Sequence, residues 1–209
     1  MAAARPAARF LCDAFFRIPE DVYVGPDHAI TQEDWRGLRV PVPAPNLPLR
    51  MPGKVATTDL LGREEGLAEH GARLLEVAGA HGKAASMTRP SPYFTVAPAI
   101  LGPDGLLATW PWSDTLPEAV LALEALAAAD RAAPGTILWD DEDQGWHLRI
   151  IGAGASACLV EWDAEGPPPA EDAWRVDAAE LAGQAASALE RLRTVHARLV
   201  KRLGRDLWS

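Results

Sequence analysis

The chain has 209 residues, 48% of them hydrophobic and 23% charged, with a formal net charge of −9. That much apolar side chain can bury a core without metals or disulfides, and the acidic balance speaks against a nucleic-acid binder. Cys12 and Cys158 lie far apart in no metal-ligand spacing and the five histidines make no i, i+4 pair, so neither a metal, a cofactor nor a disulfide framework is expected.

Seventeen Arg stand against three Lys, Asn46 is the single Asn, and Ala, Gly and Pro abound. This is the bias of a GC-rich genome, and a bacterial source is the expectation. No run approaches the ~20 apolar residues of a membrane-spanning helix. The stretch Phe10 to Phe16 is broken by Asp13 and closed by Arg17, too short for a secretory segment. No membrane partner and a cytoplasmic location follow as expectations.

Residues 1–55 hold Pro19, Pro26, Pro41, Pro43, Pro45, Pro48 and Pro52. Proline removes a backbone donor and restricts its neighbour, so this region reads as an irregular arm with short extended pieces. Phe10, Phe15, Phe16, Tyr23 and Trp35 would order it against the core. A first helix is predicted over Thr58 to Ala80, its interior weakened by Gly62, Gly66 and Gly71. Tyr93 to Ile100 and Leu106 to Trp110 flank Gly102-Pro103-Asp104-Gly105 and read as a hairpin.

Thr115 and Glu118 have capping-box spacing, with Pro117 in the first turn of the helix that follows and Pro134-Gly135 closing the segment. Next comes a three-stranded meander: Thr136 to Trp139, a turn through the acidic run, Trp146 to Ile151, a glycine turn, and Ser156 to Trp162. Trp146, Leu148 and Ile150 alternate with His147 and Arg149, the period-2 pattern of a half-buried strand. Pro167-Pro168-Pro169 ends the meander. The last helix, Asp177 to Leu203, carries Leu181, Ala185, Ala188, Leu192, Val195 and Leu199 on one stripe and is followed by Gly204. The order implies an α+β fold: about three helices packed with an antiparallel hairpin and the meander. It divides into an arm over 1–55 and a single domain over 56–209.

The charge is not spread evenly. Residues 137–172 hold nine acids and only Arg149, a net of −8. Four of the eight Trp lie in or beside that stretch, and aromatic anchors ringed by charge are what protein interfaces use as hot spots. The candidate contact residues are therefore Trp139, Asp140, Asp141, Glu142, Asp143, Trp146, Glu161, Trp162 and Asp163. Such a surface steers basic partners. The basic end of the last helix is what the helix dipole favours and does not argue for DNA or RNA.

No catalytic residue is assigned. Gly152-Ala153-Gly154-Ala155-Ser156-Ala157 satisfies the dinucleotide fingerprint, yet a β-prone run follows it where that motif needs a helix, so it reads as a hairpin turn. Ser156 lacks the second glycine of a nucleophile elbow. The expected function is a non-catalytic protein-binding protein with a basic protein partner and an oligomeric state left open. In kind this is similar to the small acidic immunity proteins that occlude secreted toxins, a likeness of class that no motif narrows to a family. The competing expectation is a small-molecule or carbohydrate-binding enzyme with a Trp-lined pocket near Trp110, Trp112 and His147.

Overall fold

A computed structural model of the chain describes residues 4–26, 28, 31–88, 91–110, 114–143, 145–163, 166 and 173–209. The elements run β1 (Arg5–Pro6), β2 (Leu11–Arg17), β3 (Asp21–Tyr23), α1 (Gln32–Gly37), β4 (Arg39–Pro41), β5 (Lys54–Ala56), α2 (Thr57–Leu60), α3 (Glu64–Ala80), β6 (Val96–Gly102), β7 (Gly105–Thr109), α4 (Leu116–Leu126), β8 (Ile137–Asp143), β9 (Trp146–Gly152), β10 (Ser156–Asp163), β11 (Trp174–Asp177) and α5 (Ala178–Leu203). Helices and mainly antiparallel strands make this an α+β protein. No helix among the described residues is long and apolar enough to cross a membrane. The chain falls into two compact units, one of Met1–Ala14 and Ala97–Leu192, the other of Phe15–Val96 and Arg193–Ser209. Residue 55 lies inside the second.

In the first unit, five strands form a sheet in the order β1-β11-β10-β9-β8. β8 to β11 are antiparallel neighbours, while β1 joins β11 in parallel, pairing Arg5 with Trp174 and Pro6 with Arg175. The meander is thus two strands wider than its sequence pattern implied. β11 is four residues long, and β1 has only two, lengths at which periodicity carries no signal. The triple proline lies outside the described residues.

The β6–β7 hairpin forms as expected, turning at Gly105 with φ of 142°. α4 starts on the expected capping box: the Glu118 carboxylate accepts both the backbone N–H and the hydroxyl of Thr115. It ends at Leu126, before Pro134, and a short 3-10 turn follows over Ala129–Arg131. Asp177 caps α5 by accepting the Glu180 N–H at 2.8 Å.

Proline cuts residues 1–55 into short pieces, with one exception. β2 lies between Pro6 and Pro19, contains no proline, and buries Cys12 to Phe16 completely. Its backbone is tied by Gln184 of α5, which accepts the Cys12 N–H and donates to the Phe10 carbonyl. Asp13, which interrupts the apolar run, is fully buried and accepts from Arg191 at 3.2 Å. That is a core strand rather than an overlying arm.

In the second unit, Phe15 to Arg17 of β2 pair with β5, and β3 pairs with β4. The helix expected over 58–80 is two helices. Gly62 adopts φ of +85°, which ends α2, and Glu64 reopens the helix by accepting the Gly62 N–H at 3.0 Å. Arg198 of α5 donates to the same Glu64 oxygen at 2.8 Å. Trp208 closes this core edge-on to Phe16 at 5.6 Å and to Phe94 at 5.5 Å. His70 is buried, its two ring nitrogens facing the carbonyls of Pro19 and Pro43.

Candidate functional site

The acidic run is not a turn. Asp140 to Asp143 belong to β8 and lie opposite Arg149, Leu148, His147 and Trp146 of β9, so the turn shrinks to the residues around Gly145, which has φ of +83°. Asp and Glu have low strand propensity, and that made four in a row look like a loop. Partners across the ladder override it, because oppositely charged cross-strand pairs stabilise a sheet.

Alternation then divides the candidate residues between two faces. One face carries the rows Asp140–Arg149–Val160 and Glu142–His147–Trp162; the other carries Trp139–Ile150–Leu159, Asp141–Leu148–Glu161 and Trp146–Asp163. The nine candidates lie on three adjacent strands, β8, β9 and β10, but not on one face. The side chain of Asp143, and Trp112 altogether, lie outside what is described.

The first face is a closed polar network. Arg149 makes a two-pronged contact with Asp140, Nε at 3.0 Å and Nη2 at 2.9 Å, and His147 Nε2 lies 2.7 Å from the same carboxylate. Glu142 reaches His147 Nδ1 at 3.4 Å. The imidazole stacks on Trp162, with centroids 4.0 Å apart and planes at 14°, and the Arg149 guanidinium lies 5.5 Å from that indole. Hydrogen bonds from Arg149 hold the Asp140 carboxyl below its ordinary value, against a smaller opposing effect of burial. Trp162 is only 7% exposed. It packs with Ala4, Cys158, Val160 and Ala173, so it supports the network from beneath and presents little surface of its own. Glu142 is the exposed acid here, with 60% of its side chain accessible.

The second face gathers indoles and a desolvated acid. Trp110, fully buried at the end of β7, lies 6.4 Å from Trp139. The indole N–H groups of both are buried and have no acceptor among the described residues. Next to Trp110, the Thr109 backbone N–H donates to Glu161. Burial pushes the Glu161 carboxyl up, and the Thr109 N–H only partly offsets it. Asp141 stands on the same face, one strand beyond Leu148.

Sequence reasoning missed the roles of Arg149 and His147 as partners of the acids and of Thr109 as partner to Glu161. The signal for the first two was present, since both occupy the polar phase of the β9 alternation. The Thr109–Glu161 contact spans 52 residues, and no local pattern encodes it. The apparent nucleotide motif is the β9–β10 turn: Gly154 has φ of +76° and the Ala153 N–H donates to the Ser156 carbonyl at 2.7 Å. Gly152 is required by packing, because a Cβ there would meet the Ala132 methyl at 2.9 Å. Among the described residues no cluster of three or more His, Cys, Asp or Glu is placed to hold a metal ion. Comparison of the chain with protein-family models, with curated proteins and with solved structures gives no match.

Proposed function

We infer that the chain is a non-catalytic binding protein that engages a basic protein through the β8–β9 hairpin, in the manner of a toxin-neutralising immunity-type protein of the bacterial cytoplasm. The supporting observation is the position of β8. It is the terminal strand of the five-stranded sheet, and Asp140, Asp141 and Glu142 put carboxylates on both sides of that edge. Asp140 is held by Arg149 and His147, so the contact falls chiefly to Glu142 and its neighbours, with Asp140 fixing the geometry. A rim of this kind accelerates association and sets its salt dependence more than it sets affinity.

The test is a purified complex. The protein cross-linked to the chain in its source cells is identified, produced separately and titrated against the wild type and a Glu142→Lys, Asp143→Lys double variant. The expected result is a stoichiometric complex that weakens steeply with salt and loosens at least about tenfold in the variant. Equal binding by the reversed hairpin would sink the reading.

A second reading, a carbohydrate or small-molecule site, draws support from the other face. Glu161 and Asp141 flank Leu148 among Trp139, Trp146 and Trp110, and a raised acid paired with a second carboxylate is what glycoside chemistry uses. Quenching of the Trp fluorescence by soluble oligosaccharides, lost in Glu161→Ala, is its expected signature. An unchanged spectrum removes it.

A further inference from the structure

The edge of the five-stranded sheet opposite β8 borders an apolar concavity of about 370 Å³ that the hairpin reading leaves unused. β1 forms that edge, and the chain from Pro6 to Arg9 lines the concavity together with the β6–β7 turn, Pro103 to Leu107, and Trp174 of β11. All of these belong to the first unit. The Arg5 guanidinium lies over the Trp174 ring, 4.3 Å from its centroid, and holds the indole in place. Pro6 and Pro103 have no backbone N–H, so the lining sheds water at both positions without stranding a donor. Leu106 is 42% exposed beside the buried Leu107. With Trp174 they form one apolar lining that stands open to solvent.

The lining also carries one charge of each sign. Arg9 and Asp104 are both exposed. Among the described residues the side chain of neither makes an ion pair or a hydrogen bond, with the other or with anything else. For Arg9 this is unexpected on numbers alone, because its unit holds eighteen acids and six cations. Arg131, Arg149 and Arg191 of that unit each reach a carboxylate. An aspartate at a hairpin turn is ordinary by itself. A turn aspartate and a spare arginine in the same apolar lining suit a ligand that brings both opposite charges with it.

We propose that this concavity binds a small apolar amino acid, its carboxylate held by Arg9, its ammonium group by Asp104, and its side chain laid against Trp174, Leu106 and Leu107. A guanidinium takes a carboxylate through two parallel hydrogen bonds. A simple carboxylate would be repelled by Asp104 and a simple amine by Arg9, so the two charges together select the zwitterion. The volume suits one compact molecule rather than a polymer. The site shares no residue with the β8–β9 hairpin, so the two readings stand or fall separately.

The experiment titrates the full chain by calorimetry at low salt with three probes that share a phenyl group: L-phenylalanine, N-acetyl-L-phenylalanine, which lacks the ammonium, and 2-phenylethylamine, which lacks the carboxylate. L-phenylalanine is expected to bind saturably at one site per chain, and the other two at least about tenfold more weakly. Arg9→Gln should weaken L-phenylalanine roughly tenfold or more. Asp104→Asn should erase the preference for L-phenylalanine over its N-acetyl form. Both side chains are exposed, so both variants should keep the wild-type circular dichroism; should Arg9→Gln lose it, Arg9→Lys, which keeps the charge but not the fork, should still weaken binding. Arg131→Gln, outside the lining, should bind like the wild type. The proposal is overturned if L-phenylalanine does not bind saturably up to about 10 mM, if either single-charge probe binds the wild type as tightly, or if the folded Arg9 or Asp104 variant treats all three probes as the wild type does.

Discussion

Glu161 has a pKa raised by burial, so the folded chain holds its proton more tightly than the unfolded chain does. Its favourable contribution is therefore complete below the ordinary value of 4.5 and is lost as pH rises through the folded value. Above that ordinary value, burying an ionisable carboxyl burdens the fold. Glu161→Gln keeps an oxygen for the Thr109 N–H and never ionises. It should melt a few degrees above the wild type at pH 7, with the gain vanishing near pH 4; a variant that melts lower at pH 7 would contradict the burial argument. At the same scale, Asp13 shows what one sequence position can conceal. It reads as an interruption of an apolar run, yet its partner Arg191 lies 178 residues away. Nothing local could pair them.

Among the elements, α3 depends most on one side chain. Glu64 takes the Gly62 N–H where the chain turns between α2 and α3, and it receives Arg198 from α5. Burial alone would raise its pKa, but these hydrogen bonds together outweigh burial and lower it. Removing it takes the acceptor from the Gly62 N–H and from Arg198, both of which water can reach, so Glu64→Ala should cost about 1 kcal/mol in urea denaturation. Glu64→Gln, which keeps one acceptor, should cost less; equal losses would show that the carboxylate is only filling space. α5, α4 and the β6–β7 hairpin were legible because their signals are local: a long apolar stripe, a capping box, a glycine turn. β8 was half legible, as Ile137 to Trp139 read as strand while Asp140 to Asp143 took their conformation from β9. β2 was hidden by the prolines around it, and β1 and β11 were too short to leave a period. The acidic site was found as a place in sequence, but its two faces follow from register, which charge counting does not see.

For the molecule as a whole, the shifted groups fix how stability responds to acid. His70 is lowered from its ordinary 6.5, burial outweighing the two carbonyls that favour its proton. The unfolded chain thus takes up that proton first, and stability declines as pH falls through about 6.5. Glu64, Asp140 and Asp206 are all lowered; for Asp206, burial raises the value, but His196 and the N–H groups of Trp208 and Ser209 prevail. Their contributions are present above the ordinary carboxylate range and disappear as pH falls through the lower folded values. Among the described residues, Glu161 is the shifted carboxyl that opposes them. Urea midpoints at pH 7.5, 5.5 and 3.5 should fall in two stages, and His70→Gln should flatten the first; a midpoint that rises between the first two pH values would refute the assignment. The terminal position of β8 adds a consequence for handling the protein. An outer strand invites copies of itself to dock in register, and consecutive carboxylates on both its sides are an electrostatic guard against that. Acid that neutralises them would disarm the guard while stability is also failing, so turbidity should rise from β-rich aggregates seeded at this edge, and salt that screens the same charges should hasten it.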